Sequence, residues 1–204
     1  MSVEKKADTI KQKAADDGVA NPSGAAVAGF AGLYLAFIPV TNYLASTGAL
    51  ESFVQGTARL IPGFSNTLTS DRTIPALSAL YMFLTFGATG AVSAAGQAMS
   101  RSEGLDNNHP RQHLNDMRGL PLRMRSAHLG LLENFAGYAL AAALTQSLAP
   151  GNKELINLLG LHVLLKLGVY YPAYLLNIGP PRTFAHVIAT SSIVSALWKL
   201  AAGA

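Results

Sequence analysis

Charge is missing from two long stretches of this chain. Residues 24–50 and 73–100 contain no Asp, Glu, Lys or Arg, and each exceeds the roughly 20 residues that carry a helix across a hydrocarbon core. Three more apolar runs follow, over about 120–149, 155–177 and 183–198. The first is entered through Arg123 and Arg125 and holds Glu133; the second holds Lys166. None shows the polar stripe at every third or fourth position that marks a helix of a soluble bundle. The pattern predicts an all-α integral membrane protein. It divides into a polar tail (1–22), a first membrane helix (23–50), a connector (51–72) and a main membrane domain (73–204). Pro39 is the weak point of the first helix, and the apolar Phe53, Val54, Leu60, Ile61 and Phe64 predict an interfacial helix in the connector.

Composition sharpens this picture. Only 13% of the residues are charged, against about 25% in soluble domains. With no cysteine, disulfides, zinc thiolates and a cysteine nucleophile are excluded. The net charge of +4 is too small and scattered to point to nucleic acid. The tail mixes lysines with Glu4, Asp8, Asp16 and Asp17 and ends at Asn21-Pro22, unlike a secretory or transit signal. Ten of the 15 Lys and Arg residues fall on one side if the tail, the 100–125 loop and Arg182 share it. Arg59, Arg72, Lys153 and Lys199 fall on the other. The positive-inside rule then places the amino terminus and the 100–125 loop in the cytoplasm, in an endomembrane of a eukaryote or the inner membrane of a bacterium.

Glu133 raises the first chemical question, because a charge inside a bilayer costs about 2.5 kcal/mol or more without a partner. On a helix it shares a face with Ser126, Gly130 and Gly137, and a cation from another helix, Lys166 or Arg182, is the expected partner. Either a structural ion pair or a site residue fits that placement. Arg111, Arg118, Arg123 and Arg125 form a basic rim at the mouth of the third span, suited to carboxylates or phosphates. His109 and His113 have metal-like spacing, but Pro110 between them spoils the helix such a pair needs, so no metal is expected. His162 and His186 read as hydrogen-bonded packing residues. Tyr170 and Tyr174 share a helical face, and the Pro180-Pro181 turn returns Arg182 to the membrane side of Arg123.

These motifs together resemble the MAPEG family, the membrane-associated proteins in eicosanoid and glutathione metabolism. The resemblance lies in Asp106-Asn107-Asn108-His109-Pro110-Arg111, in Arg123, Ala127-His128 and Glu133-Asn134-Phe135, and in Tyr170-Tyr171-Pro172-Ala173-Tyr174 with Arg182 beyond. It implies a four-helix membrane core over about residues 75–200, assembled as a homotrimer, with the first helix as an addition. It further implies glutathione as co-substrate, bound between neighbouring subunits on the cytoplasmic side by Arg111, Arg123, Glu133, Lys166, Tyr170 and Tyr174. Arg182 would be the catalytic residue that stabilises the thiolate. Gly130 stands where the family commonly has asparagine. Leu167 stands where the third helix usually has arginine, with Lys166 one step away.

Two functions follow from that resemblance. One is a glutathione-dependent transferase or peroxidase acting on a small lipophilic electrophile drawn from the bilayer, supported by Arg182 and the tyrosine pair. The other is a non-catalytic scaffold or accessory subunit of a membrane assembly, supported by Gly130. A transporter is disfavoured because the spans show no half-helix symmetry.

Overall fold

The computed structural model describes residues 3–21, 24–61 and 69–203. Pro22 and residues 62–68 of the connector, with Phe64, lie outside the described residues. The elements are α1 (Val3–Asp16), α2 (Ala25–Ala28), α3 (Ala31–Ala36), α4 (Ile38–Ala45), α5 (Gly48–Ala58), α6 (Ser70–Met82), α7 (Thr89–Met99), α8 (Gly119–Leu148), α9 (Lys153–Leu165), α10 (Tyr171–Leu175) and α11 (Gly179–Ala201). A π-helical turn, Phe83–Ala88, joins α6 to α7, and another, Lys166–Tyr170, joins α9 to α10. All regular structure among the described residues is helical.

Among the described residues three continuous helices are long and apolar enough to cross a membrane: Ser70–Met99, Lys153–Leu175 and Gly179–Ala201. Helix α8, 30 residues long, spans about 45 Å at 1.5 Å per residue, and its apolar run is interrupted by His128, Glu133 and Asn134. These four rods form the core of an integral membrane protein. Close approaches set their spacing: a Cβ at Gly96 would lie 3.0 Å from the Pro121 carbonyl oxygen and 3.2 Å from Met124 Cβ, so α7 and α8 touch backbone to backbone.

The predicted first membrane helix is present in a different form. Pro39 does not break it, because it sits in the first turn of α4, where a missing N–H leaves nothing unpaired. The Thr41 amide still bonds the Phe37 carbonyl at 3.0 Å, carrying the hydrogen-bond ladder from α3 into α4. The turn comes later: Thr47 adopts an extended backbone and accepts the Leu50 amide at 3.3 Å as an N-cap. That cap starts α5 at 82° to the preceding segment. Helix α5 packs one face on the bundle. Its Val54 and Ala58 are fully buried, and Val54 lies in the space a side chain at Gly160 of α9 would need. Two polar bonds clamp α4 onto the core: Asn157 Nδ2 donates to the Ala45 carbonyl at 2.8 Å, and Ser195 Oγ donates to Asn42 Oδ1 at 2.6 Å.

Tyr81, Tyr138 and His162 fill the centre, their rings 4.9–5.5 Å apart. The Ala189 carbonyl can only accept, so His162 donates from Nδ1 at 2.9 Å and takes the Tyr81 hydroxyl proton on Nε2 at 3.3 Å. His162 is therefore the packing residue expected from its apolar surroundings.

Outside the bundle, Asp106 organises the loop between α7 and α8. Its carboxylate accepts the Asn108 and His109 amides at 2.9 and 3.0 Å. Arg101, His113 and His109 face it at 3.7, 3.6 and 3.8 Å. The His109 amide above all, helped by the Asn108 amide and the neighbouring charges, holds its carboxyl below the usual carboxylate range against the opposing effect of burial.

Gly160→Ala is expected to push α5 off α9 and cost about 1–3 kcal/mol, read as a lower thermal midpoint in detergent. Val54→Ala in the same chain should restore part of the loss, and an unchanged midpoint would contradict the contact. For the loop, a depressed carboxyl contributes stability that is complete above the unfolded value of about 3.9 and fades as pH falls through the folded one. Amide exchange of residues 106–109 should therefore stay slow down to about pH 4 and quicken below it, while Asp106→Asn should exchange fast throughout.

Candidate functional site

Pro172 is the origin of the site. It offers no N–H, and its ring crowds the carbonyl four residues back, so the helix widens ahead of it. The Tyr171 amide reaches back five residues to the Lys166 carbonyl. Such π turns concentrate at functional sites. This one turns Lys166 and Tyr170 inward together, with Lys166 Nζ 4.5 Å from the centre of the Tyr170 ring.

Lys166 is 0% exposed. Its ammonium carries only donors, so it donates a hydrogen bond to His186 Nδ1, 2.9 Å away. The imidazole then donates from Nε2 to the Tyr34 oxygen of α3 at 3.1 Å. This correction bears on Glu133: among the described residues neither Lys166 nor Arg182 forms an ion pair with it, because His186 and the Tyr170 ring already occupy Lys166. Glu133 is exposed in the single chain and acts on Lys166 and Tyr170 only through its field. It lines a cleft of about 140 Å³ with Asn134, Gly137, His162, Thr190 and Ile193.

Gly130 has a spatial explanation. The Tyr170 hydroxyl occupies the place where a Cβ on Gly130 would stand, so any side chain there would displace the tyrosine. The amide that Gly130 lacks is supplied one turn on: Asn134 Nδ2 donates to the Gly130 carbonyl at 2.8 Å, and its Oδ1 accepts from Thr190 of α11 at 3.3 Å.

Past α10 the chain reverses tightly. Asn177 takes a left-handed φ of 60°, and the Ile178 amide closes on the Ala173 carbonyl at 2.8 Å. Pro180 and Pro181 then open α11. This reversal lays the Arg182 guanidinium over the Tyr174 ring at 4.8 Å. Tyr174 packs edge-on to Tyr170 at 5.7 Å. Arg123 donates from Nε to the Leu175 carbonyl at 3.0 Å, which puts the mouth of α8 and the α10–α11 turn at the same end of the bundle, as the sequence predicts.

Within one chain, then, Lys166, Tyr170, Tyr174 and Arg182 form one cluster, flanked by Arg123 at the rim and Glu133 deeper on α8. Arg111 stands apart, in another cleft with Arg125 and His128. Among the described residues no group of three His, Asp or Glu side chains is arranged to hold a metal ion. His186, Asn134 and Tyr34 belong to the cluster but were not expected there. A polar aromatic in a charge-free run was the signal for Tyr34, and for Asn134 its place in the Glu133-Asn134-Phe135 motif, four residues from Gly130.

No curated protein and no solved structure matches this chain. The profile of the MAPEG family matches residues 74–202, from within α6 to the end of α11. It covers all four core rods and every member of the cluster except Tyr34; the chain belongs to the MAPEG family.

Proposed function

We propose that the protein is a glutathione-dependent transferase or peroxidase of the membrane, acting on a lipophilic electrophile. The observation that carries this reading is Arg182. Its guanidinium is fixed over Tyr174 and has no ion-pair partner among the described residues. A cation so placed lowers the pKa of a nearby thiol from about 8.5 and raises the population of its nucleophilic form. Glutathione's thiol would lose its proton to water, its sulfur would bond to the electrophilic carbon, and the leaving group would depart with its electron pair.

The cluster suits the rest of the tripeptide. Glu133 is a carboxylate without an ion-pair partner among the described residues and able to take the α-amino group, and Arg123 offers its remaining donors to a carboxylate. Tyr170 and Tyr174 supply hydroxyls on the intervening wall. Lys166 contributes charge and holds the Tyr170 ring rather than touching the ligand. Arg111 lies outside this set within one chain. In this reading the protein works as a homotrimer, with the 100–125 loop facing the cytoplasm.

The scaffold reading retains one specific support. Lys166 pairs with His186, and Asn134 with Thr190, across helices, as groups that only lock a bundle would.

Arg182→Ala separates the two. With glutathione and an electrophilic aryl halide, turnover by the purified variant should fall about a hundredfold while its elution as an assembled particle stays unchanged. Arg182→Lys should keep part of the rate, since it preserves the charge without the fork. Equal turnover in wild type and Arg182→Ala would sink the enzyme reading. A second result concerns Gly130: Gly130→Ala should displace the Tyr170 hydroxyl and weaken glutathione binding, and unchanged binding would remove Tyr170 from the site.

A further inference from the structure

Tyr34 lies on α3, well before residue 74 where the family match begins, and yet it reaches the cluster. Its hydroxyl oxygen is 3.1 Å from His186 Nε2, and the two rings meet edge-on at 6.0 Å. His186 follows Arg182 by four residues, one turn along the same face of α11. Phe37, at the junction of α3 and α4, packs on Phe184 with ring centres 6.3 Å apart. The amino-terminal segment therefore bears on the opening turns of α11, the turns that carry Arg182.

The imidazole between Tyr34 and Lys166 has one workable arrangement. Lys166 is buried and its ammonium can only donate, so His186 Nδ1 must be free of a proton to accept at 2.9 Å. A neutral ring then carries its proton on Nε2, the edge that faces Tyr34, and the Tyr34 oxygen accepts it. Without that oxygen the Nε2–H has no partner among the described residues, which is costly where lipid rather than water surrounds it. The other tautomer escapes that cost by moving the proton to Nδ1, but it then points a donor at the ammonium. Lys166 would lose its one side-chain acceptor among the described residues.

What Lys166 holds is Tyr170. The ammonium lies 4.5 Å from the centre of that ring, and the His186 ring lies 5.9 Å from it. Together they form the wall behind Tyr170, whose hydroxyl fills the space beside Gly130 and whose ring abuts Tyr174. We infer that Tyr34 is a positioning residue of the site. It fixes the tautomer of His186, His186 holds Lys166, and Lys166 seats Tyr170 against the cleft. A residue outside the matched region thus sets the geometry of residues within it. The effect on turnover rests on the glutathione reading; the effect on the imidazole does not.

Tyr34→Phe keeps the ring and removes only the oxygen. In the purified full chain the KM for glutathione should rise about fivefold, the equivalent of one lost hydrogen bond, with kcat little changed. In a Lys166→Met background the same substitution should add nothing, because the relay is already cut. Asn42→Ala, which frees the segment from Ser195 instead, should lower the thermal midpoint in detergent but leave KM at its wild-type value. Nitrogen chemical shifts of labelled histidine give the second readout, with the His186 signal identified by its absence from His186→Gln. They should show Nε2–H in the wild type and a mixture of tautomers in Tyr34→Phe. Equal KM in wild type and Tyr34→Phe, or a rise that Asn42→Ala matches, overturns the positioning role. A full additional rise in the Lys166→Met background overturns the route through Lys166. A wild type that does not turn over glutathione removes the functional reading; the histidine shifts then decide, and an unchanged tautomer overturns the relay.

Discussion

A lysine buried at 0% exposure in a membrane bundle is the constraint around which the rest is arranged. Charges at such depth persist when they are paired, hydrogen-bonded or functional. Lys166 meets that demand without a direct carboxylate contact, through His186 on one side and the face of Tyr170 on the other. His186 is itself held by Tyr34, so the cation ties the amino-terminal segment to α9 and α11. The π turn ahead of Pro172 lets Lys166 and Tyr170 point inward together. Tyr170, once placed, reaches Gly130, and Gly130 must then stay bare.

The amino-terminal segment is accordingly part of the bundle rather than an attachment to it. It is anchored at three levels: Tyr34 on His186, Asn42 on Ser195, and Ala45 on Asn157. Beyond its 82° bend, Val54 seats against Gly160. Each contact joins a residue before position 60 to one after position 150. The family match begins only at residue 74, so these bonds graft a segment outside the matched region onto the shared core.

The helical membrane architecture was legible because charge avoidance over 20 or more residues has few other causes. The end of the bundle at which Arg182 lies was legible for a similar reason: a Pro-Pro turn permits only a short reversal. The break at Thr47 was not, since hydropathy does not register a cap inside an apolar run. Nor does hydropathy show that the buried face of α5 seats against a glycine more than a hundred residues away. The partner of Glu133 was misread for a geometric reason. Spacing places residues on faces, but it does not say that Lys166 is already engaged by His186. Gly130 read as a missing amide, whereas in the fold it is room for a tyrosine hydroxyl. Arg111 flanks the same loop as Arg123, and within one chain the path of that loop carries it to a cleft with Arg125 and His128.

The central claim is that the cluster around Tyr170 and Arg182 is a binding site for glutathione and not only a lock between helices. Titration calorimetry of glutathione into the purified full chain tests it most directly. The account predicts saturable binding in the millimolar range or tighter, weakened when Glu133 is replaced by glutamine. Absence of any heat of binding at millimolar glutathione, from protein that remains folded and assembled, would contradict it.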